Sequence, residues 1–92
     1  MICYDWNEEK NQRLIAERGI GFEEIVEAIA TDGLLDTLDH PNQRDYPNQK
    51  MYVVRTLSYV YVVPFVRDEN KIFLKTIIPS RKAKKHYGDD YV

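Results

Sequence analysis

Apolar positions follow a helical rhythm in the first third of the chain and a strand rhythm after Leu34. Phe22, Ile25, Val26 and Ile29 recur at i, i+3, i+4 and i+7, while Glu23, Glu24 and Glu27 fall on the opposite side. With Gly33 beyond them, they predict the second of two helices. The first is expected over residues 7–18: Asn7 is a suitable N-cap, Glu8 and Glu9 suit the positive end of the helix dipole, and Gly19 stops it. Leu14 and Ile15 supply its apolar contact.

From Leu34 onward β-branched and aromatic residues crowd together between recurrent turn residues, which predicts strands over 34–39, 50–57, 59–66 and 71–78. Two copies of Pro-Asn-Gln, at 41–43 and 47–49, make the 40–49 stretch a run of turns. Asp68-Glu69-Asn70-Lys71 makes the next hairpin turn. Pro64 lacks the N–H that a ladder needs and is expected at an edge or a bulge. Pro79 ends the last strand, and Ser80 can cap a final helix over 81–87. An extra strand at 2–4 completes the pattern. The expectation is an α+β fold: two N-terminal helices, a four-stranded antiparallel meander and a short C-terminal helix, with the helices on one face. Strands such as Tyr59-Val60-Tyr61-Val62-Val63, apolar at both phases, call for cover on both faces.

Composition narrows the class. A chain of 92 residues with net charge −2 is read as one domain spanning 1–92, a complete, short, cytosolic protein. Cys3 is the lone thiol, so no internal disulfide or Cys-based zinc site is expected. No apolar run reaches the roughly 20 residues of a membrane span, and the N-terminus lacks the basic and apolar regions of a signal peptide. The small net charge hides an asymmetry. Residues 1–50 carry 11 acidic and 5 basic side chains, a net of −6; residues 51–92 carry 4 and 8, a net of +4. The second half can therefore face an anion.

No glycine-rich phosphate loop, HExxH, EF-hand spacing or GxSxG elbow is present, and neither a metal nor another cofactor is expected. The segment 75–87 carries the strongest signal. Arg81 and Lys82 occupy a predicted first helical turn, where the dipole disfavours cations, so they read as a phosphate site with Lys75 as a third charge. The same side chains could equally turn into water or pair with the acidic half. His40 and His86 are candidates for general acid or base. Tyr46, Tyr52, Tyr59, Tyr61 and Tyr87 can stack on unpaired bases, although Tyr52, Tyr59 and Tyr61 suit half-buried sheet positions as well.

Three blocks, in order, resemble the BrnT family of toxins, small RelE-like ribonucleases of bacterial type II toxin–antitoxin pairs. Tyr4-Asp5-Trp6-Asn7-Glu8-Glu9-Lys10-Asn11 is similar to the family's aromatic, W-D and x-x-K opening, with Asp5 and Trp6 in reversed order. Arg18-Gly19-Ile20-Gly21-Phe22-Glu23-Glu24 is similar to K-H-G-V-x-F-E-E without the histidine. Lys75-Thr76-Ile77-Ile78-Pro79-Ser80-Arg81-Lys82-Ala83, followed by Tyr87, is similar to R-I-I-S-A-R-x-A.

The resemblance implies metal-independent cleavage of mRNA, growth inhibition, and neutralisation by a cognate antitoxin, usually a ribbon-helix-helix protein. Because three short helices leave part of the sheet to cover, an antitoxin or a second copy of the chain is expected to supply the rest, as a toxin–antitoxin hetero-oligomer or a homodimer, with a well-packed monomer as the alternative and no membrane contact. Such cleavage needs a base for the ribose 2′-OH, cations for the phosphorane and an acid for the 5′-oxygen. Arg81 is first choice for the phosphorane, supported by Lys75, Lys82 and Lys10; His40, His86 and Glu24 are the acid–base candidates. Lys82, Arg55, Lys84, Lys85 and Tyr87 are expected to bind RNA. The alternative is a non-catalytic interaction module, or an inactive homologue acting with a DNA-binding partner.

Overall fold

The structure is a computed structural model that describes residues 2–88, with the side chain of Tyr87 outside the described set. The chain runs β1 (Cys3–Asp5), α1 (Glu8–Arg18), α2 (Phe22–Ala30), β2 (Leu34–Asp39), β3 (Gln49–Arg55), β4 (Val60–Asp68), β5 (Lys71–Leu74), β6 (Ile78–Pro79) and α3 (Arg81–Ala83), which continues as a π-helical turn over Lys84–Gly88. It is an α+β domain with a radius of gyration of 12.9 Å, near the ~12 Å of one compact unit of this length.

Local chemistry sets the first helices. The Asn7 side chain accepts a hydrogen bond from the Lys10 N–H at 2.9 Å, capping α1. Gly19 ends it at φ 71°, a left-handed conformation that costs glycine little. The N-cap of α2 is Gly21, which has no side chain to offer. Asn11 of α1 supplies the bond instead: fully buried, it accepts from the Phe22 N–H at 2.8 Å and donates to Glu8 at 3.2 Å. One buried amide thereby fixes the angle between the two helices.

The sheet order is β1-β5-β4-β3-β2, with β6 beside β4. The expected meander β2-β3-β4-β5 is present, but it lies within a larger mixed sheet, because β1 pairs parallel to β5. The strand expected over 71–78 is broken at Leu74: the chain leaves the ladder and returns as β6. Pro64 explains where. It sits in the central strand, not at an edge, and its carbonyl accepts from Lys75 N–H at 2.8 Å. In an antiparallel strand the N and carbonyl of one residue point to the same side. The missing N–H therefore faces the interruption between β5 and β6, where no ladder bond is lost.

Alternation along β3 and β4 separates two apolar faces. Tyr52, Val54, Tyr61, Val63 and Phe65 join Leu14, Phe22 and Ile25 under α1 and α2, with Trp6 stacked on Phe22 at 5.7 Å. Phe22 and Ile25 are fully buried, worth about 1.5–3 kcal/mol each in transfer terms. Val53, Val60 and Ala83 form a second cluster on the other face, beneath α3. The helices are thus not all on one face, since β4 is apolar at both phases and needs cover twice. Cover on the α3 side is partial: Leu38 and Ile78 remain 39% and 44% exposed. No helix among the described residues is long and apolar enough to cross a membrane.

Candidate functional site

The basic segment is held by one small anchor. Ala83 is buried against Val53 and Val60, while Arg81, Lys82, Lys84, Lys85 and His86 are exposed around it. Ser80 pins the start: its hydroxyl accepts from the Ala83 N–H at 3.1 Å and its carbonyl from the Lys84 N–H at 3.0 Å. α3 is only three residues long, so its charge comes from side chains and not from a row of aligned amides.

Two clefts flank this segment. The first, about 690 Å³, has Leu38, Val53 and Val62 as an apolar floor and Ser80, Lys82, Ala83, Lys85 and His86 as its wall. Cations beside an apolar floor are screened less than cations in open water, so an anion is held more strongly there. We refer to it as the helix cleft. The second, about 790 Å³, lies at the end of the sheet around the β3–β4 turn. Glu24, Glu27 and Asp32 line it together with Arg55, Tyr59 and Lys84, with Leu57 on the turn. The Lys84 ammonium lies 4.7 Å from the Tyr59 ring centroid, a cation–π contact, and Arg55 pairs with Asp32 at 3.7 Å. This hairpin cleft is mixed in charge.

The expected site residues divide between these places and others. His86, Lys82 and Lys85 share the helix cleft, and Arg81 stands exposed between two of its lining residues, Ser80 and Lys82. Glu24, Arg55 and Lys84 share the hairpin cleft. Lys10 lies on α1, which packs on the opposite sheet face from α3. Lys75 is exposed just beyond β5. His40 begins the 40–49 loop, where Nδ1 accepts from the Asn42 N–H at 3.0 Å and the ring lies 4.4 Å from that of Tyr46. The Tyr87 side chain falls outside the described residues.

Of the other tyrosines, Tyr52 and Tyr61 are buried. Tyr52 stacks on Phe65 at 3.9 Å, and burial, aided by Tyr4, pushes its phenol above the ordinary range. Two carboxylates, half-buried Asp5 and exposed Glu8, shift the other way. The Trp6 backbone N–H, with Lys71 at 3.2 Å, holds Asp5 low. Hydrogen bonds from Gln12, Asn11 and Trp6 hold Glu8 low. Each shift belongs to a structural contact. Among the described residues no three His, Cys, Asp or Glu side chains gather as a metal site.

Sequence reasoning missed Leu38, Val53 and Val62 as a cleft floor and Glu27 and Asp32 as a cleft wall. The two-phase apolar pattern of β4 was the available signal for the floor. Glu27 and Asp32 had none, because they read as the solvated face and the end of an ordinary helix, and Glu24 was singled out only through the family resemblance. No protein-family model, curated protein or solved structure matches the chain.

Proposed function

We propose that the chain is a metal-independent endoribonuclease of the toxin type, akin to the BrnT toxins, that cleaves mRNA and is held silent by a cognate antitoxin. The helix cleft supports this reading most directly: Lys82, Lys85 and His86 line one opening beside exposed Arg81. In the proposed reaction the ribose 2′-OH attacks the adjacent phosphorus as His86 takes its proton. The planar fork of Arg81 meets the phosphorane oxygens, with Lys82 and Lys85 adding charge. The bond to the 5′-oxygen breaks and that oxygen takes up a proton, leaving a 2′,3′-cyclic phosphate and a 5′-hydroxyl. Lys75 serves the flanking phosphates. Lys10, across the sheet, and His40, in the 40–49 loop, take no part. The half-covered face holding Leu38 and Ile78 is where an antitoxin would complete the apolar packing.

Expression without a partner is expected to arrest growth, and Arg81→Ala to relieve the arrest while the protein stays folded. A folded, soluble chain that neither slows growth nor shortens any RNA overturns the proposal. A second reading draws on the same cleft: its apolar floor with a cationic wall also suits an acidic, extended peptide. On that reading the chain is a non-catalytic interaction module, and Arg81→Ala weakens peptide binding without any RNA being cut.

A further inference from the structure

The hairpin cleft differs in chemistry from the helix cleft beside it, and Lys84 of the basic segment reaches into it. An RNA strand lying on the segment would place phosphates at the helix cleft and a neighbouring base at the hairpin cleft. We infer that the hairpin cleft is a base-recognition site selective for guanine. This rests on the ribonuclease reading for the strand's path, and on the lining of the cleft for the base.

The acidic wall decides among the bases. Glu24 and Glu27 are three residues apart on α2, so their carboxylates share one helix face, and both line the cleft. A carboxylate offers only acceptors. Guanine alone presents two adjacent donors on its Watson–Crick edge, N1–H and N2–H, which match both oxygens of one carboxylate. Adenine and cytosine set a single amino group next to a ring-nitrogen acceptor, which opposes the second carboxylate oxygen. Uracil's one N–H lies between two carbonyls. Lys84 and Arg55 line the same cleft and carry N–H donors that suit guanine's acceptors O6 and N7. Leu57, wholly exposed on the β3–β4 turn at the lip of the cleft, gives an apolar surface for the face of the base.

The test is titration of the full chain, labelled for amide NMR, with 5′-GMP, AMP, CMP and UMP, alongside sequencing of the RNA ends produced on expression. GMP is expected to shift the amides of residues 24–33 and 55–60, and to bind roughly tenfold more tightly than the other three, the order of one bidentate base contact. Glu24→Gln and Glu27→Gln each exchange an acceptor for an amide on an exposed position. At least one of them should abolish the preference for GMP while leaving the thermal midpoint unchanged. Equal shifts with all four nucleotides, or shifts confined to other residues, overturn the guanine site. Cleavage with no guanine at a fixed place beside the cut also overturns it and leaves the ribonuclease reading standing. GMP-selective shifts without any RNA cleavage keep the guanine site and remove the ribonuclease.

Discussion

Asn11 shows how much one buried polar side chain can decide. Its amide replaces the cap that Gly21 cannot provide and ties α1 to α2 through Phe22. Removing it leaves the Phe22 N–H buried without an acceptor, a penalty of about 1–3 kcal/mol. Asn11→Ala is therefore expected to lower stability by that amount in urea unfolding, with an unchanged denaturant slope; a loss below about 0.5 kcal/mol would contradict the capping role. Asn11 was not legible as a core residue, because an asparagine within a polar helix reads as surface, and its partner lies eleven positions away. Gly33 was legible only as a stop. The structure gives it a second task, since its carbonyl accepts from Arg55 N–H at 2.7 Å and an added β-carbon would run into the Arg55 carbonyl.

At the scale of elements, the local signals carried furthest where neighbours in sequence do the work. Asn7, Gly19 and the apolar spacing of α2 place both helices, and the turn residues place the four-stranded meander. What local pattern could not supply was the third dimension: the parallel pairing of β1 with β5, the break that Pro64 allows between β5 and β6, and the seat of α3 on the far face. The basic segment lay in between. Its cations and Ser80 cap are readable, but the division of its neighbours into two clefts depends on which way Ala83 points. Ser80→Ala should release that seat, at a cost of about 0.5–2 kcal/mol for a lost cap. Hydrogen exchange at the Ala83 amide is expected to accelerate with little change in the amides of β3 and β4, and an unaltered Ala83 rate would show that the cap does not hold the segment.

Across the whole molecule, the −6 of the first half comes partly from α2, with three glutamates and no base, and the +4 of the second half partly from the basic segment, on the opposite face of the sheet. The two meet at the hairpin cleft, which Glu24, Glu27, Lys84 and Arg55 line together. Titration should follow the contacts already described. Asp5 and Glu8 are lowered by folding, so their contribution is present above their unfolded values, 3.8 and 4.5, and is lost as pH falls below them. Tyr52 is raised, so its neutral form supports the fold up to its unfolded value of 10.0, and that support is lost as pH rises through the folded value. Stability is expected to be level between these limits and to fall on both sides. Tyr52→Phe should flatten the alkaline limb in urea titrations, and an unchanged limb would remove Tyr52 as its cause.

In the proposed reaction, Arg81 and its neighbours cut RNA through the 2′-hydroxyl. The most direct measurement is sequencing of 5′-hydroxyl RNA ends from cells expressing the chain, compared with cells expressing equal amounts of folded Arg81→Ala. Attack by the 2′-OH predicts new 5′-hydroxyl ends within messages for the wild-type chain and their loss in the variant. Intact messages, new ends bearing 5′-phosphate, or equal cutting by Arg81→Ala would contradict this mechanism.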